Sequence, residues 1–274
     1  MSILLSAYYP EGIVFVADKN ATITFTSPSG KKKFVEPTAT KVISWPRQQA
    51  IVGFVGLGVL AGLTLDEWMR VFIANTRNFN DINLLAQELK NQIQNDFEKD
   101  FPSGSDLSNA QLVVHLGGFS IKDGVHVPVM YHIWNHGSID PKTGAYPPGK
   151  KVFQISEDVE RDFTTKGWPN REDYPGKIRA RLQNMIDERR YLWYSNGANL
   201  GAFLIFRDYI WHALYAVQDN GFGPPATGLG SRVAFCKMAV DAFGSYFTHH
   251  YYPEDRVVGG GVDAVYIPWP QTTA

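Results

Sequence analysis

The chain has 274 residues, enough to bury a full hydrophobic core in one or two domains, and a single domain over residues 1–274 is expected. Its 26 basic and 27 acidic side chains leave a net charge of -1, which excludes a general attraction to nucleic acid or to an anionic membrane surface. The lone Cys236 excludes an internal disulfide framework, and the longest apolar run, residues 50–63, is short for a membrane span and holds four glycines. No basic residue precedes the first apolar run, so it does not read as a signal peptide, and a cytoplasmic protein is expected.

Two β-rich runs, residues 2–9 and 13–21, flank the turn triplet Pro10-Glu11-Gly12 and read as a hairpin. If Met1 is removed, the amine and hydroxyl of Ser2 stand together at the tip of the first strand. A hydroxyl beside its own α-amine is a nucleophile with a built-in base, because an α-amine has a pKa near 7.7 to 8.0 and is partly unprotonated at neutral pH. A third β-rich run over 22–26 leads to Ser27-Pro28-Ser29-Gly30 and the lysine triplet 31–33, which read as an exposed loop with a solvated tip. Strands are expected at 41–45 and 50–55.

The segment from Gly53 to Gly62 has two readings. Gly56-x-Gly58-x-x-Ala61 after a strand approximates a dinucleotide-binding fingerprint, but that fold needs a second parallel strand with an acidic end about twenty residues on. The sequence instead gives two helices. Leu65, Trp68, Met69, Phe72 and Ile73 share one helical stripe, and after a cap at Asn80-Asp81 so do Leu85, Leu89 and Ile93. Residues 96–108 read as a polar connection. Residues 111–119 and 125–134 form a second hairpin around Lys122-Asp123-Gly124. Residues 135–175 are rich in Pro, Gly, Lys and Asp and read as an insertion. A short amphipathic helix carries Ile178, Leu182, Met185 and Ile186. Residues 191–201 read as a strand leading into a small-residue turn, a long helix follows with Leu200, Phe203, Leu204, Trp211 and Leu214, and residues 221–230 are a loop. A further helix over 231–249 is apolar around much of its circumference and encloses Cys236 as a packing residue. The seven histidines show no metal-binding spacing; His115 and His132 fall in strands.

The run Gly12-Ile13-Val14-Phe15-Val16-Ala17-Asp18-Lys19-Asn20-Ala21-Thr22 resembles the second strand of proteasome β-type subunits and of the related bacterial ATP-dependent peptidase. Asp18 lies sixteen residues after Ser2, the family's spacing from nucleophile to aspartate. Lys41 takes the position of the lysine that opens a later strand, after a loop several residues longer than usual. Gly56 fits the glycine whose amide helps build an oxyanion hole. Asn196 occupies the serine of the family's Gly-Ser-Gly turn. The run from Asp255 to Asp263 resembles the family's Asp-x-x-Ser-Gly-Gly-x-[Ile/Val]-Asp, with Val258 in place of the serine.

The resemblance implies an α+β fold, a four-layer αββα sandwich of the N-terminal nucleophile hydrolase type. It implies a peptide hydrolase with Ser2 as nucleophile, Asp18 and Lys41 setting its ionisation, Gly56 at the oxyanion and Asp255 orienting the amine, with Asn196 able to hydrogen-bond at the serine's position. It implies peptides or unfolded proteins as substrate, a homo-oligomeric ring and an ATPase partner, with no cofactor and no metal. Two other readings share the fold: a non-catalytic ring or scaffold subunit, suggested by Asn196 and Val258, and an amidohydrolase acting on a small amide.

Overall fold

In a computed structural model, the protein is described over residues 3–9, 11–27, 30–36, 38–79, 81–122, 125–137, 148–157, 192–197, 228–250 and 260–270. The first two strands organise one sheet. β1 (Ile3–Tyr9) and β2 (Gly12–Asp18) form the expected antiparallel hairpin, in register Leu4 opposite Ala17 and Tyr9 opposite Gly12. Every residue of both strands is buried, which is why they read as continuous apolar runs rather than as alternating ones. β12 (Leu192–Gly197) joins the outer edge of β1, and β13 (Val262–Pro268) joins β2, giving the order β12-β1-β2-β13.

A second sheet has the order β11-β10-β9-β6-β5. Its strands are β5 (Val42–Trp45), β6 (Ala50–Gly56), β9 (Leu112–Lys122), β10 (Val125–His136) and β11 (Gly149–Glu157). Between β6 and the first helix, β7 (Val59–Leu60) and β8 (Leu63–Thr64) make a two-stranded ribbon, and β3 (Ala21–Ser27) pairs with β4 (Gly30–Glu36) in another. All these pairings are antiparallel. The protein is therefore a mixed α/β molecule built on antiparallel sheets.

Helices cover the outer faces. α1 (Leu65–Asn75) begins where the Glu67 carboxylate accepts from the Thr64 backbone N–H at 3.1 Å. α2 (Ile82–Asp100) begins at Asp81, whose side chain accepts from Asn83 N at 2.8 Å. Their apolar stripes, including Trp68, Met69, Phe72, Leu85, Leu89 and Phe97, bury against Val52, Phe54, Leu112, Val114 and Ile133 of the five-stranded sheet. α3 (Leu229–His250) lays Phe235, Cys236, Val240 and Phe243 on Ile3, Leu5, Ala7, Val14 and Val16, the outer face of the four-stranded sheet. The two sheets meet through Leu4, Tyr8, Ile13, Phe15 and Ala17 on one side and Val42, Ile51, Val55, Val113 and Met130 on the other.

Some expectations change and others are met. The glycine fingerprint at 56–61 does not sit in a parallel sheet: β6 runs antiparallel to both β5 and β9, so the nucleotide-binding reading is excluded. The lysine triplet lies in β4, because Ser27 already pairs with Gly30 and the ladder continues through Lys31–Thr26 to Lys33–Thr24. Residues 96–100 are helical: the apolar stripe runs one turn further, to the fully buried Phe97, and the buried Asp96 beside it accepts from Trp68 Nε1 at 3.0 Å. Within the segment 135–175, residues 149–157 form the edge strand β11. The buried Asn135 ties this strand in, accepting from Leu112 N at 2.7 Å and donating to Ala110 O at 2.8 Å and Lys150 O at 3.0 Å. The helices expected around 178–186 and 200–214 and the loop at 221–227 lie outside the described residues. Cys236 is fully buried 3.2 Å from the Tyr9 hydroxyl, and burial pushes its thiol pKa up to about 12, so it is a packing residue.

Candidate functional site

The register of the β1–β2 hairpin places Ile3 opposite Asp18, one step beyond the Leu4–Ala17 pair. There the Asp18 carboxylate accepts a hydrogen bond from the Ile3 backbone N–H at 2.8 Å. The same oxygen accepts from Lys41 Nζ at 3.1 Å, and Lys41 also donates to the backbone oxygen of Asn20. Both charged groups are out of water, Asp18 at 1% and Lys41 at 5% exposure. Lys41 reaches this point because it precedes β5, and its own carbonyl accepts from Phe54 N at 3.0 Å, which fixes it against β6.

Burial pulls the Lys41 pKa below the ordinary lysine range. The attraction and hydrogen bond of Asp18 oppose this, and Asp263 opposes it further. Asp263 is held by Lys19, Nζ to Oδ1 at 3.0 Å, at the more open edge of the site. A desolvated ammonium and carboxylate next to the backbone nitrogen of residue 3 form an electrostatic device aimed at the start of β1.

Gly56 ends β6, three residues beyond Gly53, which pairs with Val42. Its φ of +110° and the backbone of Gln111, against which any Cβ would collide, restrict the position to glycine. The next residue is anchored by Leu57 N donating to Gln111 O at 2.7 Å. Asn196 pairs by backbone with Leu4 at the same end of the four-stranded sheet. Thus Asp18 and Lys41 are in contact, Asn196 reaches the vicinity through its backbone, and Gly56 closes the neighbouring strand. Ser2 and Asp255 lie outside the described residues, as does Val258.

Reading the sequence missed the carbonyl of Asn20 as a ligand of the lysine and the Lys19–Asp263 pair. Their only signal is adjacency to Asp18 and to the closing aspartate. It also missed Ser6 Oγ, 2.7 Å from His115 Nδ1 across the gap between sheets, with the His132 ring edge-on to His115 at 5.1 Å. Among the described residues no group of three or more His, Cys, Asp or Glu side chains is placed to hold a metal ion, and no helix is long and apolar enough to cross a membrane.

These observations define a mixed α/β protein whose two antiparallel sheets end at a buried aspartate–lysine pair. No protein-family model matches the chain, and no curated protein does. Among solved structures it is similar to Anbu (ancestral beta-subunit) from Yersinia bercovieri, with a TM-score of 0.45 and 12% sequence identity over 97% of this chain and 81% of that one. A likeness that distant carries neither fold nor activity from one protein to the other.

Proposed function

We propose that this chain is a peptide hydrolase of the N-terminal nucleophile class, an αββα sandwich in which Ser2 is the nucleophile once Met1 is removed. The observation that carries the reading is the buried Asp18–Lys41 pair hydrogen-bonded to Ile3 N, the backbone nitrogen adjoining residue 2. The order helix, sheet, sheet, helix among the described residues supports the same class.

In this mechanism the Ser2 hydroxyl attacks a peptide carbonyl while its own α-amine takes the hydroxyl proton, directly or through water. The charge on Lys41 favours the ionised hydroxyl and the neutral amine. The Gly56 amide donates to the oxyanion, a contact usually worth about 10²- to 10³-fold in rate. Asp255 orients the amine, and Asn196 can hydrogen-bond at its own position. The ammonium then returns its proton to the departing amine, leaving an acyl ester on Ser2. Water, deprotonated by the same α-amine, releases the product and restores the hydroxyl. Enclosure in a homo-oligomeric ring, a peptide or unfolded-protein substrate and an ATPase partner belong to the same proposal.

Purified protein lacking Met1 is expected to cleave fluorogenic peptides, and Ser2→Ala to abolish cleavage. Equal activity in the variant ends the assignment. One observation favours a second reading: Val258, which can neither donate nor accept through its side chain, replaces the family's serine. It fits a non-catalytic ring subunit, for which the intact mass of the native protein would include Met1.

A further inference from the structure

We propose that Asp263 is a positioning residue for Lys41: from the start of β13, with Lys19 as its ion-pair partner, it adds to the hold that Asp18 has on the lysine. The consequence for hydrolysis rests on the function proposed above, whereas the coupling between the three side chains does not.

β13 runs antiparallel to β2 with Asp263 opposite Ala17 and Val262 opposite Asp18. Ala17 belongs to the core between the sheets, and Val265 and Ile267, which alternate with Asp263 along β13, lie against that same core. Asp263 therefore continues an inward-facing row at the end where Lys41 enters. A carboxylate has no apolar reason to stand there. Lys19 holds it at 3.0 Å, and the Lys19 backbone is itself fixed by its N–H donating to Gly261 O at 3.1 Å.

Among the described residues, the charged groups acting on Lys41 are Asp18 from β2 and Asp263 from β13, and Asp263 is ion-paired with Lys19. The Ile3 backbone N–H shares the Asp18 oxygen with Lys41, and the Phe54 N–H holds the Lys41 carbonyl; neither brings a charge. The Lys19 and Asp263 side chains are 33% and 27% exposed, and an ion pair so placed adds little to stability. Its electrostatic reach toward a desolvated ammonium is the larger effect, because the field inside the gap is less screened than at the rim.

The signs give a test that a merely structural role would not pass. Removing the carboxylate withdraws an attraction from the charged form of Lys41, so the lysine loses its proton at lower pH. Removing the Lys19 ammonium frees Asp263 to act on Lys41 at full strength, so the lysine keeps its proton to higher pH. Full-length protein carrying ¹³C at the lysine ε-carbons allows Lys41 to be titrated by NMR, its signal assigned by loss in Lys41→Met. Asp263→Asn is expected to move the titration to lower pH, Asp263→Glu to restore it, and Lys19→Gln to move it the other way. Shifts of the same sign in Asp263→Asn and Lys19→Gln, or no shift in either, overturn the proposal. Should Asp263→Asn unfold, seen as collapse of amide dispersion, the sign of the Lys19→Gln shift decides. The high-pH limb of kcat/KM for Ser2-dependent hydrolysis is expected to follow each titration. Titration shifts of opposite sign without any such hydrolysis would leave the coupling standing and remove the proposed function.

Discussion

The Asp18–Lys41 pair decides most at the scale of single residues, because both charges have left water and each is tolerable only beside the other. Replacing one partner leaves an uncompensated buried charge, which costs about 3 to 5 kcal/mol, whereas replacing both by neutral groups of similar volume is far cheaper. Asp18→Asn and Lys41→Met are each expected to lower the unfolding free energy by about 3 kcal/mol in urea titrations, and the double variant by clearly less than the sum. Additive losses would show that the pair is not coupled. The pH dependence has a definite sign. Lys41 has its pKa lowered by burial, so between that lowered value and the ordinary lysine range the unfolded chain binds more protons than the folded one. The stability of the unmodified protein relative to Lys41→Met is thus expected to rise with pH through that alkaline interval. A difference that stays flat or falls contradicts the assignment. Taking the difference cancels the opposing contribution of Cys236, whose raised pKa acts in both proteins.

At the scale of elements, the strand ends carry the site, and Gly56 is where β6 stops and the chain turns toward α1. Its φ of +110° is unfavourable for any side chain, and an added Cβ would meet the Gln111 backbone, which cannot swing aside like a side chain. Gly56→Ala is expected to destabilise the protein by about 2 kcal/mol or more, measured as a shift of the urea midpoint at unchanged slope. A neutral substitution would mean that β6 and β9 can separate there at little cost. Elements with strong local signals were legible in the sequence. The β1–β2 hairpin followed from its turn triplet, α1 and α2 from their 3.6-residue stripes, and the β9–β10 hairpin from Asp123-Gly124. What escaped was set by distant contacts. The edge strand β11 carries only a weak alternation and is tied in by the side chain of Asn135, and the last turn of α2 sets one apolar residue, Phe97, among charged ones, with Asp96 bonded to Trp68, 28 residues earlier. The Asp18 and Lys41 positions were legible through the resemblance, Asp18 by its sixteen-residue spacing from Ser2 and Lys41 as the lysine that opens a later strand, with β3 and β4 lying between them. The Lys19–Asp263 contact was not, because it joins residues at opposite ends of the chain.

At the scale of the whole molecule, the decisive quantity is how closely the two sheets approach, since that distance brings Lys41 of one sheet onto Asp18 of the other. Small residues set it. A Cβ on Gly117 would stand 2.6 Å from Phe15 Cζ and 2.6 Å from the Tyr8 hydroxyl, and one on Gly53 would stand 2.6 Å from Leu4 Cδ1. Phe15 is fully buried and touches the His115 ring edge-on, while Tyr8 donates to Val129 O at 3.3 Å, so neither ring has free space to retreat into. Adding even one methyl at such an interface forces side chains off their preferred rotamers and typically costs about 1 to 3 kcal/mol. Gly117→Ala is expected to fall in that range, and Phe15→Leu, placed in the same chain, to recover part of the loss by vacating the volume the methyl needs. The Lys41 titration supplies a second readout, because wider spacing between the sheets admits water and should return the lysine toward its ordinary range. If Gly117→Ala is as stable as the unmodified chain and leaves Lys41 unmoved, the sheets are not held at contact distance by these glycines, and the burial of the charged pair needs another cause.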